Sequence, residues 1–223
     1  MKVELIAHTS NPILTIEKAA STCYDSQPGD GKILRHCYKS GHHSVLEFAD
    51  FTFRISGVSR ALTHQLVRHR MASYAQRSQR YCEEDGFAYV TPASISADPE
   101  AQTLYDEAIT VIKHAYTSLL EKGIKAEDAR MLLPNACCTV ICVKMNFREL
   151  IHFCNERLCA CAQWEIRAMA REMVRAVAAV EPALAAFLVP KCEKHAPHSF
   201  CTETQSRSCG RHPTLSALLK DKQ

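Results

Sequence analysis

A chain of 223 residues with 47% hydrophobic and 23% charged residues has the make-up of one globular domain, or one domain with a small appendage. Its formal net charge of +3 argues against a nucleic-acid-binding surface, and no run of about 18 apolar residues exists to span a membrane. The opening MKVELIAHTS lacks a signal-peptide pattern, so the twelve cysteines predict a reducing, cytoplasmic setting rather than a disulfide framework.

In chain order, Lys2 to His8 alternates weakly and predicts a first strand. Asn11-Pro12 opens a helical run from Ile13 to Cys23, with Pro12 in the first turn where its missing N–H costs nothing. Gln27-Pro28-Gly29-Asp30 predicts a turn. Lys32 to Ser40 follows as a helix with Ile33, Leu34, Cys37 and Tyr38 on one face and Gly41 as its stop. Ala49 to Ile55 reads as a strand, because Phe51, Phe53 and Ile55 share a face opposite Thr52 and Arg54. Helical spacing then begins at Val58 (Val58, Ala61, Leu62, Leu66), with Ser56 or Ser59 as the cap. It places Gln65 and Arg68 near the helix end.

Arg70 to Tyr81 has no clean period and predicts a polar loop or extended segment. Phe87 to Val90 predicts a short strand. Asp98-Pro99 starts a long helix whose expected buried stripe is Leu104, Ala108, Val111, Ile112, Ala115, Tyr116 and Leu119, with Gly123 past its end. Ala126 to Leu133 is a short helix carrying Arg130 and ended by Pro134. Thr139 to Met145 is β-branched enough for a strand. Asn146-Phe147-Arg148-Glu149 resembles a capping box at the head of a helix through Asn155. Ala162, Ile166, Met169, Ala170, Met173, Val174 and Val177 mark a second long amphipathic helix, which Pro182 closes or extends by a turn. From Pro190 the chain loses apolar periodicity and becomes rich in Cys, His and Ser.

One window stands apart. Phe51 to Cys82 holds Arg54, Arg60, Arg68, Arg70, Arg77 and Arg80 and no lysine, aspartate or glutamate. Arginine forks bind phosphate and carboxylate two-pronged and stay charged at any working pH, so the window predicts a site for a phosphate-bearing anion. The bland alternative is a solvated basic face, which normally mixes in lysines and acids.

Within this window, Arg68-His69-Arg70, seven intervening residues and Ser78 resemble the signature of the flavin-dependent thymidylate synthases. RHRMASYAQRSQRY is preceded by GHHSVLEF and followed by NFREL and ERLCACAQWEIR, in the family's order and at similar spacings. The resemblance covers roughly Met1 to Leu188. It implies a catalytic domain over residues 1–189 and a separate Cys/His-rich tail over 190–223. It further implies an α/β fold, a curved, mainly antiparallel sheet packed with long helices. The implied enzyme is a homotetramer with shared active sites that makes dTMP from dUMP. FAD is the implied cofactor, with NADPH and methylenetetrahydrofolate as co-substrates, and neither nucleic acid nor membrane is an expected partner.

By the same resemblance, His42, Ser44, Arg68, His69, Arg70, Gln76, Asn146, Arg148 and His152 line the FAD site. Gln65, Arg68, Gln76, Arg77, Ser78, Gln79, Arg80, Arg130 and Arg157 hold dUMP. His152 stands where some members have asparagine, and Gln76 where some have glutamate. Arg157 is the implied catalytic residue, a permanent cation that polarises the uracil ring and makes C5 nucleophilic. Its bland reading is an ion pair with Glu156 or Glu165.

The residues offer three other chemistries. Ser78 with His69 as base lacks the G-x-S-x-G pattern of a nucleophile elbow. Cys82, Cys159 and Cys161 lack a recognisable activating pair, and Cys137, Cys138, Cys142 and Cys154 lie in apolar surroundings that suggest inert thiols. Cys192, Cys201 and Cys209 with His195 or His198 offer enough ligands for zinc, but without a C-x₂-C knuckle. Two readings outside enzymology remain: a nucleic-acid-binding module using residues 51–82, and a zinc-stabilised interaction protein.

Overall fold

The structure, a computed structural model, describes residues 1–23 and 25–220. They fold as two compact units, one of Met1–Lys2, Ile55–Arg68 and Tyr74–Cys142, the other of Val3–Arg54, His69–Ser73 and the chain from Val143 onward. Strands β1 (Lys2–His8), β2 (Asp50–Ser59), β3 (Ala72–Gln76) and β4 (Cys138–Asn146) form one sheet in the order β1-β2-β4-β3. The amide of Phe147 donates to Ala49 O (2.7 Å) at one end of the β2–β4 pair, and that of Arg60 to Cys137 O (3.0 Å) at the other. Those two strands therefore run antiparallel. The expected α/β class with an antiparallel sheet is what the chain adopts.

In the second unit, α1 (Pro12–Ser21) and α2 (Lys32–Lys39) match their sequence patterns closely. They are tied by Glu17, whose fully buried side chain accepts from the amides of Gly29 (2.7 Å), Ile33 (3.0 Å) and Leu34 (3.3 Å). A carboxylate from α1 thus satisfies orphan N–H groups at the head of α2. A 3₁₀ segment (His43–Phe48) follows. Helices α7 (Phe147–Arg157) and α8 (Trp164–Val180) pack against each other, and Ile166, Met169, Ala170, Met173 and Val177 of α8 are buried as their spacing predicts. Pro182 begins the short α9 (Pro182–Ala185). Phe147 meets both Phe51 and Phe187 at 6.0 Å, which anchors the head of α7 in the core.

The first unit departs from the sequence reading in four places. Strand β2 runs to Ser59, four residues beyond the expected end, and α3 (Arg60–Leu66) starts only after it. Val58 is buried and suits either period, so apolar spacing alone misplaced the switch; Ser59, not Ser56, is the cap, accepting from Leu62 N at 3.0 Å. The expected loop from Arg70 contains β3, whose residues alternate between half-buried and exposed with none fully buried. Such a polar edge strand shows no hydrophobic face, and pairing with β4 creates it. Conversely, the expected strand Phe87–Val90 is reduced to a single bridge between Tyr89 and Cys137.

The fourth departure concerns α5 (Pro99–Glu121), which follows the short α4 (Ala93–Ser96) and is capped by Asp98. Its inward stripe is Tyr105, Ile109, Ile112 and Tyr116, packed near Phe87 and Cys137. Leu104 and Val111, expected inside, are 70% and 67% exposed, and Ala108 is exposed with them. Both stripes have the i, i+4, i+7, i+11 spacing and are offset by one residue. Periodicity cannot choose between two such stripes; tyrosine hydroxyls reaching Val90 O (2.9 Å from Tyr105) and Glu84 N (3.1 Å from Tyr116) mark the inner one. Helix α6 (Ala126–Ala129) and a 3₁₀ turn (Arg130–Leu132) then lead into β4. The tail carries one 3₁₀ turn (Lys191–Glu193), a bridge between Cys201 and Thr214, and α10 (Leu215–Lys220).

Candidate functional site

The second unit holds a buried relay along α7. Asn146 caps the helix through Oδ1, which accepts from Glu149 N at 2.9 Å. From that start, Glu149, Phe153 and Arg157 follow at intervals of four and share one face. His69 lies across this face. Its Nδ1 is 3.2 Å from Glu149 Oε1, its Nε2 is 3.0 Å from Arg157 Nε, and its ring meets Phe153 edge-on at 5.0 Å. Arginine Nε–H only donates, so His69 Nε2 must accept and Nδ1 carries the proton that it donates to Glu149. The relay Glu149–His69–Arg157 therefore fixes one tautomer and one guanidinium orientation.

His69 is 5% exposed. Burial first, then the positive neighbours Arg157 and His152, push its pKa from 6.5 down to about 4. Burial also raises the pKa of Glu149, partly offset by His152. Between pH 6.5 and 4 the unfolded chain binds the His69 proton and the folded chain does not, so stability rises with pH across that window. The contribution is complete above pH 6.5 and is lost as pH falls through about 4. It amounts to about 3 kcal/mol. Urea midpoints between pH 4 and 7 will report it as a slope that His69→Gln flattens; an unchanged slope in the variant would exclude His69 as the group.

Beside the relay is a cavity of about 460 Å³ whose wall includes Asn146, Arg148, Glu149, His152, His43 and Met71. Three predicted flavin ligands, Asn146, Arg148 and His152, thus share one cavity, while His69 stands behind it as a support for Arg157. Arg148 is paired with Glu47 at 2.6 Å. His42, Ser44 and Arg70 are exposed and do not line that cavity. His43 does, with its ring on Tyr38 and its Nε2 3.0 Å from Tyr38 O. Sequence reasoning missed His43, Glu47 and Glu149. For Glu149, the eight-residue spacing to Arg157, two helical steps of four, was a usable signal.

The first unit carries the predicted nucleotide ligands other than Arg157. Arg80 Nε and Nη2 both reach Glu127 Oε2 (3.1 and 3.0 Å), and Arg130 Nε donates to Glu127 O at 3.0 Å. Arg80 and Arg130, fifty residues apart in sequence, converge on one acidic residue. Ser78 Oγ accepts from Arg80 N at 3.2 Å and tightens the turn. Arg77 is held by Glu84 (2.9 Å), Gln76 by Thr63 (3.0 Å), and Gln79 reaches Cys137 Sγ at 3.8 Å. Gln65 is half-buried in the last turn of α3, and Arg68 just beyond it is exposed.

Several expectations are corrected by these contacts. The arginine window lacks acids only in sequence, since Glu4, Glu84 and Glu127 pair with Arg54, Arg77 and Arg80. Arg157 pairs with neither Glu156 nor Glu165 but with His69. Both ring nitrogens of His69 are engaged, which removes it as a base for Ser78. Cys137 and Cys154 are buried thiols with pKa raised by burial, to about 11 for Cys137, whereas Cys138 and Cys142 are only half-buried. Among the described residues no helix is long and apolar enough to cross a membrane.

Comparison with known proteins agrees with this layout. A family model described as "Thymidylate synthase complementing protein" matches residues 4–183. A flavin-dependent thymidylate synthase of Geobacter sulfurreducens is 46% identical, covering 86% of this chain and 88% of its own. That of Nitratidesulfovibrio vulgaris is 40% identical, covering 97% of each. The fold resembles a UMP/dUMP methylase, PolB from Streptomyces cacaoi, bound with 5-Br dUMP, at a TM-score of 0.72 and 25% identity over 83% of this chain and 93% of that one. With a match spanning Arg68-His69-Arg70, Ser78 and the relay on α7, the chain belongs to the flavin-dependent thymidylate synthase family.

Proposed function

We propose that the protein catalyses the reductive methylation of dUMP to dTMP, with methylenetetrahydrofolate as one-carbon donor and NADPH as the reductant of bound FAD. The observation that carries this reading is the Glu149–His69–Arg157 relay, which holds a permanent cation at the end of α7 through an imidazole, with no acidic partner among the described residues. A preorganised cation at the N3–O4 edge of uracil favours negative charge there and makes C5 nucleophilic. No protein nucleophile is required, in keeping with the engaged His69.

The cavity beside the relay suits a flavin dinucleotide in its donors: a guanidinium at Arg148, imidazoles at His43 and His152, and the Asn146 amide, whose oxygen is already committed to the helix cap. Arg70, Ser44 and His42 would add contacts from neighbouring backbone. Bound FAD supplies the redox chemistry, and these residues orient it. For dUMP, Arg80 and Arg130 are the phosphate ligands. The Glu127 carboxylate now forms a surface ion pair with Arg80 worth up to about 1 kcal/mol, so a phosphate displaces it readily, while Arg130 donates only to the Glu127 backbone carbonyl. Gln65, Arg68, Gln76, Arg77, Ser78 and Gln79 complete the nucleotide contacts.

The exposed stripe Leu104, Ala108 and Val111 on α5 supports assembly of several copies, in line with a homotetramer that shares active sites. A cytoplasmic location follows from the substrates and the free thiols. A nucleic-acid-binding module is not supported, because half of the window's arginines are paired with carboxylates.

The test is NADPH oxidation by the purified protein supplied with FAD, with and without dUMP. Acceleration by dUMP, with dTMP formed when methylenetetrahydrofolate is added, is the expected result. Bound flavin that ignores dUMP would reassign the substrate, and failure to bind flavin would overturn the reading.

A further inference from the structure

A second pocket, of about 160 Å³, lies in the same unit at the end of α7 and under the tail, and it is lined by Cys159, Cys161, Cys192, Cys201, Cys209 and His212. Two sets of ligand atoms are already gathered there. The donor atoms of Cys159, Cys161 and Glu203 lie within 4.8 Å of one another, as do those of Cys192, Glu193 and His212. The two carboxylates are committed elsewhere: Glu203 to Lys191 (2.5 Å) and Arg207 (3.8 Å), Glu193 to Arg211 (3.2 Å). What remains is a set of thiols and one imidazole.

That imidazole is the second observation. His212 Nε2 is buried and has no hydrogen-bond partner; the Glu193 carboxylate, at 3.6 Å, is beyond hydrogen-bond reach. A buried nitrogen with no hydrogen-bond partner, beside the Cys192 thiol, is what a ligand looks like before its ion arrives, and side-chain rotation across the pocket would bring the separate Cys159–Cys161 pair to it. The tail also has almost no core of its own. Between Lys191 and Lys220 only Cys201 and Thr214 are buried, so apolar burial is too small to offset the ordering of thirty residues. The backbone nevertheless closes neatly, Cys201 N donating to Pro213 O (2.8 Å) and Leu215 N to Cys201 O (3.1 Å), which sets His212 over the pocket.

We propose that this pocket is a structural zinc site with Cys159, Cys161, Cys192 and His212 as ligands, tying the tail to the segment that follows Arg157. Thiolates with one imidazole are soft donors that select zinc over calcium or magnesium, and a fourfold protein set with no open position is structural rather than catalytic. The Cys161 thiol, which donates to Arg207 O at 3.3 Å, loses its proton and that bond on ligation. The tail histidines expected to serve are not the ones used: His195 stacks on Phe200 at 6.0 Å, and His212 takes the place. The sequence lacked a tight knuckle because its Cys-x-Cys half, Cys159 and Cys161, lies outside the tail.

The experiment is elemental analysis of the full-length protein after dialysis against a weak chelator, with cobalt(II) substitution of the same protein. About one zinc per chain and a tetrahedral cobalt spectrum with thiolate charge-transfer absorption are expected. Cys192→Ser and His212→Ala should lose the zinc, while Cys138→Ser, outside the pocket, keeps it. A strong chelator should speed tryptic cleavage at Lys194, Arg207 and Arg211 in the unmodified chain, a readout that needs no variant to fold. Zinc-free protein in which Cys159, Cys161 and Cys192 alkylate freely, a disulfide among these cysteines on non-reducing mass analysis, or an octahedral cobalt spectrum would each overturn the proposal.

Discussion

Replacing Arg157 with alanine is expected to lower kcat for dTMP formation by about 10²–10³-fold, the usual loss when one preorganised electrostatic donor is removed. Flavin content should be unchanged, because Arg157 faces the relay and is not among the residues that line the neighbouring cavity. Arg157→Lys should recover little: lysine keeps the charge but has no Nε–H to lay on His69 Nε2, so the cation is no longer aimed. Steady-state kinetics together with the flavin absorbance of the purified variants decide the matter. Loss of flavin from Arg157→Ala would make the residue a cofactor ligand, and unchanged kcat would remove it from the reaction.

The second large effect is expected from Phe153→Ala. Phe153 is fully buried, and its ring covers the imidazole of His69. Truncation should destabilise the fold by about 3–5 kcal/mol through lost burial and the cavity left behind. The cavity adjoins His69, so water gains access and the burial that depresses its pKa is relieved. In the variant the loss of stability between pH 6.5 and 4 that His69 causes should therefore shrink, and kcat should fall on the acid side as protonated His69 stops accepting from Arg157. Chemical denaturation and NMR titration of the His69 ring measure the two consequences separately. A destabilised variant whose His69 still titrates near 4 would show that Phe153 packs the core without shielding the relay.

The relay and the proposed zinc pocket lie on either side of one short stretch. Arg157 ends α7, and Cys159 and Cys161 follow within four residues. Order in the tail therefore bears on the position of the proposed catalytic cation, since Asn155 on the same helix also donates to Val189 O at 2.8 Å. The rest of α7 is anchored by its cap and by Leu150, Ile151, Phe153 and Cys154 in the core.

Much of the molecule was decided by local chemistry that a sequence displays. Strands β1 and β4, helices α1, α2, α7 and α8, and the caps at Asn146 and Asp98 follow from period, capping residues and prolines, because those preferences act within a few residues. The Arg68-His69-Arg70 motif and Arg157 were legible for a different reason: family resemblance marks residue types that the chemistry requires. Tertiary structure alone decided which of two equivalent stripes of α5 faces inward, that residues 72–76 become a strand, and that three window arginines meet carboxylates. It also decided that His69 supports Arg157 and that His212, rather than His195 or His198, comes close to Cys192. Each of these depends on atoms far apart in the chain, and burial, partner choice and tautomer are properties of such encounters rather than of any residue's neighbours in sequence.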